Sequence, residues 1–280
     1  MPRWLRLLLV AAGAVVLTML IRNVGAKTVA DLLLRVGWAF PIVALLYLAH
    51  VCVRAFALWR TVTGARLRDV LHVRLSGEAV EMLTFTGPFL AEPAKGVMLT
   101  KYGVSKADAI RAIATEYALY TVSSAWLAVL ALSLLVSRGV LPPALHTPVL
   151  WIIAAMVIFT VGAAIAAIVG WIPLTATRLA QVVGIELTGQ ALLVCEILVT
   201  IHALGFPFSS LQSMIVEGAV KFISIAFFFV PGQLGAQESV YTMLFASLGL
   251  PGAIGLTMAL VRRVRALIVA AIALAVTYAL

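Results

Sequence analysis

Two stretches of this chain set charged side chains beside proline and glycine within apolar surroundings. The first reads FTGPFLAEPAK, residues 85–95, and carries Pro88, Glu92 and Lys95. The second reads FFVPGQLGAQE, residues 228–238, and carries Pro231, Gly232, Gly235 and Glu238. Proline removes a backbone donor and interrupts a helix, so neighbouring carbonyls and amides need other partners. Hydrocarbon supplies none, and such backbone persists at membrane depth only when packed in protein or lining a wet cavity. The chemistry on offer is ionic. Arg262, Arg263 and Arg265 stand in one apolar run, Glu217 and Lys221 in another, and Glu116 in a third. Guanidinium groups grip phosphate through paired N–H donors. A helix beginning near Gly235 turns free backbone N–H groups toward the same anion. Glu92, Glu217 and Glu238 balance the arginines, and one of them is a candidate to exchange protons.

The elements that position these residues follow from composition. The chain has 280 residues, 64% hydrophobic and 11% charged, with mean hydropathy +1.14. Globular domains carry roughly 25% charged residues. The expected class is therefore all-α: a polytopic membrane protein of about six to eight transmembrane helices, at ~20 residues per span. No polar stretch is long enough for a soluble domain. Residues 1–280 read as a single integral membrane domain with approximate halves 1–140 and 141–280. The net charge of +9 suits cytoplasmic loops facing anionic headgroups. Aromatic residues are not interleaved with the basic ones, so no nucleic-acid partner is expected. Cys52 and Cys195 lie isolated in apolar runs and read as small core residues. The four histidines have no metal-ligand spacing, and neither metal nor cofactor is expected. Nucleophile-elbow, P-loop, dinucleotide-binding and zinc-protease motifs are all missing.

The N-terminus has Arg3 and Arg6, then an apolar run, then Val24-Gly25-Ala26, as a signal peptide does. The run from Leu5 to Ile21 is long for that role and reads as an uncleaved first span. Further spans are expected at about 36–59, 107–136, 148–170 and 180–204. The basic stretch Arg60, Arg66, Arg68, His72 and Arg74 reads as a cytoplasmic loop, which puts the N-terminus in the cytoplasm. Residues 76–100 are too polar for a plain span and read as a re-entrant hairpin, with Glu78 and Glu81 at its mouth. Ser105 opens the next helix with S-K-A-D, close to a capping box. A second broken unit follows: a helix at about 209–229, the Pro231-Gly232 break, and a short helix at about 238–249. The last segment covers 252–280.

Three full spans separate the two re-entrant broken-helix hairpins. Three is odd, so the hairpins open to opposite faces as an inverted repeat, a transporter arrangement. Thirteen residues past Gly103 and past Gly249 stand Glu116 and Arg262. Arg262 lies about 15 Å along a helix from Pro251, near the middle of a ~30 Å core. A charge there costs about 2.5–3.5 kcal/mol. The arginines must therefore face a cavity or meet acids, of which Glu186, Glu196, Glu217 and Glu238 are candidates. The alternative lays residues 250–261 along the membrane surface and leaves 264–280 to cross alone. Glu217 and Lys221, four apart, either satisfy each other or hold a ligand.

The segment VPGQLGAQESVYTMLFASLGLPGAIGLTMALVRRVRAL, residues 230–267, resembles the hallmark of the flippase-like membrane region of lysyl-phosphatidylglycerol synthases. The family pattern there is Pro-Gly-x-Leu-Gly-x-x-Glu, then Gly-Leu, then Ala-Leu and Arg. Pro231, Gly232, Leu234, Gly235, Glu238, Gly249, Leu250, Ala259, Leu260 and Arg262 or Arg263 match it. In the first half Pro88, Glu92 and Glu116 match the family's other motif, with Ala91 in place of Gly and Tyr117 in place of Arg. The wording is most similar to stand-alone members associated with hopanoid biosynthesis. What the resemblance implies is a bacterial cytoplasmic-membrane protein that moves a lipid with a polar or phosphorylated headgroup. Its partners would be the lipid bilayer, the membrane lipid substrate and enzymes of lipid biosynthesis. The alternative is a membrane-embedded enzyme or accessory subunit acting on an isoprenoid (hopanoid) or phospholipid. Either way the substrate site would draw on Arg262, Arg263, Lys95, Glu92, Glu116, Glu217, Lys221 and Glu238.

Overall fold

A computed structural model describes residue 22 and residues 26–83, 87–140, 143–168, 174–226 and 235–279. The expected first span at 5–21 and the Pro231-Gly232 break lie outside them. Every regular element described is helical: α1 (Ala26–Val36), α2 (Phe40–Thr61), α3 (Leu67–Leu83), α4 (Pro88–Lys101), α5 (Lys106–Ser137), α6 (His146–Ile168), α7 (Ala176–Ala203), α8 (Ser210–Ala226), α9 (Ala236–Ser247) and α10 (Gly252–Ala279), with a 3₁₀ turn at Pro143–Leu145. Three of them, α2, α5 and α7, are long and apolar enough to cross a membrane, and a shorter apolar stretch covers His146–Gly162. The chain is thus an all-helical, multi-pass membrane protein.

Local sequence explains several boundaries. Pro41 sits in the first turn of α2, where its missing N–H costs nothing. Ser105 caps α5: its Oγ accepts from the Asp108 amide at 3.1 Å and donates to the Asp108 carboxylate at 2.6 Å. Thr175 accepts from the Arg178 amide at the start of α7. Two expectations need correction. Residues 26–35, which the expected spans at 5–21 and 36–59 leave in the loop between them, belong to α1, which packs against α7 and α10. The stretch read as a basic loop is mostly helix from Leu67 onward. Arg68 stays in solvent, whereas Arg74 is 1% exposed. Its charge is satisfied by protein carboxylates, so it says little about which side of the membrane the loop occupies.

The helix order repeats. α2, α3, α4 and α5 run long, short, short, long, at 22, 17, 14 and 32 residues. α7, α8, α9 and α10 repeat the sequence at 28, 17, 12 and 28. Packing is reciprocal: α2 lies on α7, α5 of the first half holds α8 of the second, and α10 of the second holds α3 of the first. The α5–α8 contact is close because Gly218 has no side chain. A Cβ there would fall 2.3 Å from the Leu127 carbonyl oxygen. One apolar core gathers Val36, Val43, Ile197, Ile201, Ile215, Tyr241, Phe245 and Met258. A second, around Leu58, Val70, Leu99 and Ile113, ties α2 to α3, α4 and α5. Large apolar side chains such as Leu45, Trp151 and Ile158 point outward, as on a lipid-facing surface. Cys52 and Cys195 also face outward, against the expectation that they pack in the core.

Candidate functional site

The short helices and their long partners bring the charged residues into the interior. In the first half, α5 supplies Glu116, fully buried. Arg54 of α2 donates to its Oε1 from Nη2 at 2.8 Å and from Nε at 3.2 Å. Arg74 of α3 approaches the same carboxylate at 3.8 Å and Glu78, one turn along its own helix, at 3.5 Å. In the second half, α10 supplies Arg262. It meets Glu217 of α8 at 2.7 Å, as an ion pair without hydrogen-bond alignment, and Glu196 of α7 at 3.4 Å. Glu217 in turn pairs with Lys221, one turn along α8, at 3.5 Å.

The two halves therefore share one wiring diagram with opposite signs. An acid on α5 is clasped by arginines from α2 and α3. An arginine on α10 is clasped by acids from α7 and α8, the helices that occupy those places in the repeat. The i, i+4 pair on α3 runs Arg74–Glu78, whereas its counterpart on α8 runs Glu217–Lys221. Arg54, Arg74, Glu78, Glu116, Glu196 and Glu217 are buried and Arg262 and Lys221 largely so, so each needs its partner; an unpaired buried charge would cost several kcal/mol.

Tyrosines join the halves. Arg54 stacks on Tyr120 at 3.5 Å from the ring centre, and the Tyr120 hydroxyl accepts from Lys221 at 2.9 Å. On the other side, Arg265 pairs with Glu196 through Nε and Nη2 and stacks on Tyr47 at 3.6 Å. Tyr47 donates to Glu78. The contacts close into a circuit: Arg54, Tyr120, Lys221, Glu217, Arg262, Glu196, Arg265, Tyr47, Glu78, Arg74, Glu116 and back to Arg54. Arg262 is held further by the Tyr241 hydroxyl at 2.7 Å and the Leu193 carbonyl at 3.1 Å.

Two pairs flank the circuit. Lys95 of α4 donates to Glu92 at 2.6 Å. Its stem lies over Gly77 of α3, where a Cβ would meet Lys95 Cγ at 2.5 Å. At the start of α9, Gly235 donates its N–H to Glu238 Oε2 at 2.8 Å, and Arg263 donates to Glu238 Oε1 at 2.6 Å. Glu238 thus occupies the anion position that the sequence assigned to a ligand. Pro88 opens α4 directly after the first break. Beside Glu92, a groove of about 480 Å³ runs between α4 and α5, lined by Pro93, Val97, Ile110, Ile113 and Tyr117 with Lys106 at one end.

Glu116, Glu217, Lys221 and Arg262 thus converge on one circuit, with Lys95–Glu92 and Arg263–Glu238 at its flanks. Sequence reasoning set Arg265 among the arginines that must face a cavity or meet acids, and Glu196 is the acid it meets; it missed Arg54, Arg74, Tyr47 and Tyr120, and assigned Glu78 to a hairpin mouth. The i, i+4 sign pattern of 74/78 against 217/221 was the signal available for them. Among the described residues, no group of His, Cys, Asp or Glu is placed to hold a metal ion. No curated protein and no solved structure gave a significant match. A family model, the lysylphosphatidylglycerol synthase TM region, matches residues 3–273, so broken units, buried circuit and flanking pairs all fall within it. The chain belongs to the lysylphosphatidylglycerol synthase TM region family.

Proposed function

We propose that this protein moves a lipid with a polar, phosphate-bearing headgroup across the bacterial cytoplasmic membrane, with its N-terminus in the cytoplasm. The observation that carries the reading is the buried circuit of ion pairs linking both repeat halves. Buried ion pairs bring little net stability over apolar packing, and ionisable groups within membrane segments mark pathways for charged cargo. A phosphate competes with carboxylates for arginine, with the same forked geometry. The headgroup enters by displacing a carboxylate, first Glu238 from Arg263 or Glu92 from Lys95, where the pairs lie at the flanks. Its tails remain in lipid or in the apolar groove beside Tyr117. The opposite sign of the halves suits a relay, in which cationic and acidic clasps exchange partners as cargo passes.

The test uses purified protein in proteoliposomes with a fluorescent phospholipid whose headgroup is quenched from outside. The parent protein should expose inner-leaflet lipid within the assay. Arg262→Ala and Glu238→Ala should each slow exposure by at least about tenfold, which corresponds to ~1.4 kcal/mol. Parental rates in both variants would remove the site from the reading.

A further inference from the structure

Glu186 stands apart from the circuit. It lies ten residues into α7, about 15 Å along the helix, and is fully buried. Neither carboxyl oxygen has a hydrogen-bond partner. Its nearest cation is Arg54, whose Nε is 3.9 Å away while the guanidinium is spent on Glu116. The other charged or titratable groups facing it are Arg74 from α3, Glu116 from α5 and Lys221 from α8. Each already pairs elsewhere. His50 of α2 sits beside the next turn of α7, where its Nδ1 donates to the Gly189 carbonyl at 2.9 Å. Gln190 donates to Ser124 at 2.9 Å. Arg262 and Arg265 meet α7 at Glu196, a further ten residues along.

An ionised carboxylate in this position lacks both hydrogen-bond donors and a free counter-charge, which the interior does not tolerate. A neutral carboxylic acid fits it. Arg54 lies between two acids and is committed to only one of them. We propose that Glu186 is a proton-binding site, and that Arg54 is the switch that empties it. In the arrangement seen here Glu186 holds a proton on one carboxyl oxygen. When Arg54 leaves Glu116 for Glu186, the O–H bond breaks, the proton passes to water, and the new ion pair replaces it. The use of the proton to drive transport rests on the lipid-moving reading, whereas proton binding itself does not.

Infrared spectroscopy of the protein in lipid at neutral pH decides the site. A protonated-carboxyl C=O band should be present, shift in D₂O, and disappear in Glu186→Gln while persisting in Glu81→Gln. In Glu116→Gln the band should also disappear, because Arg54 then has Glu186 as its remaining acid. Absence of the band from the parent protein, its survival in Glu186→Gln, or its survival in Glu116→Gln overturns the proposal. Glutamine mimics the neutral acid, so Glu186→Gln should unfold at the parental temperature or above; a large drop would also count against it. In proteoliposomes, an imposed pH gradient should change lipid exposure several-fold in the parent and leave Glu186→Gln unmoved. A rate in the parent that ignores the gradient overturns the coupling, whereas no lipid exposure in any protein overturns the lipid reading and leaves the infrared result standing.

Discussion

Glu116 is the residue on which the first half depends most. It receives two donors from Arg54 and faces Arg74 as well. Glu116→Ala leaves Arg54 and Arg74 buried with less than their due of negative charge. Breaking a buried pair from one side costs about 3–5 kcal/mol; Arg54 keeps Glu186 to fall back on, so this variant should lose less than that, as thermal melting followed by tryptophan fluorescence would register. Removing both Arg54 and Glu116, by Arg54→Met with Glu116→Gln, should cost less than the sum of the single changes, because neither charge is then stranded. The tyrosines belong to the same scale. Tyr120 and Tyr47 each offer a ring face to an arginine and a hydroxyl to a charged group of the opposite half or a neighbouring helix. That pairing of apolar body and polar tip lets two buried charge clusters touch without direct repulsion.

At the scale of elements, the seam between α3 and α4 is set by a missing side chain. Lys95 meets Glu92 one turn back on its own helix while its stem passes over Gly77. Gly77→Ala should push the lysine stem aside and loosen the pair, at roughly 1–3 kcal/mol for overfilling a packed site. Thermal melting should show the loss, and lipid exposure should slow if Lys95 and Glu92 guard an entry. Gly218 does the same for α5 and α8, but its obstacle is the Leu127 carbonyl. Backbone cannot step aside as a lysine stem can, so substitution there is predicted to be the more damaging of the two. The short helices α3, α4, α8 and α9 owe their place to these close approaches and to their charges, since over the described residues none of them is long enough and apolar enough to cross alone.

For the whole molecule, the reciprocal packing of α5 on α8 and of α10 on α3 is what two repeats that exchange equivalent helices give, and the inverted arrangement expected from the sequence is one form of it. Lys101 and Ser247 end equivalent short helices and are both exposed. Single cysteines at these positions, in a Cys52→Ser, Cys195→Ser background, should react with an impermeant maleimide from opposite sides of the membrane. Labelling from the same side would contradict the inverted arrangement. The opposed signs of the two halves have a thermodynamic logic as well. In the first half Arg54 and Arg74 meet Glu116 and Glu78, and in the second Arg262, Arg265 and Lys221 meet Glu196 and Glu217, so the interior as a whole stays close to neutral.

The amino-acid sequence by itself determined that the chain is helical and membrane-embedded, because apolar runs of span length admit little else. It also determined where α4 starts, since Pro88 suits a first helical turn, whereas Pro93 lies inside the same helix and does not end it. Helix ends followed from local chemistry too, as at Ser105, where the capping bonds form within four residues. Partner choice was another matter. Arg54 and Arg74 looked like span-end and loop charges, because adjacent sequence gives no sign of what lies across a helix interface. Glu116 lies sixty-two positions from Arg54, and Glu196 sixty-nine from Arg265. Only the packing of α2 against α5, and of α7 against α10, brought those charges within reach. Burial then converted proximity into obligation: inside the membrane protein a charge must find its opposite or, as at Glu186, give up its charge.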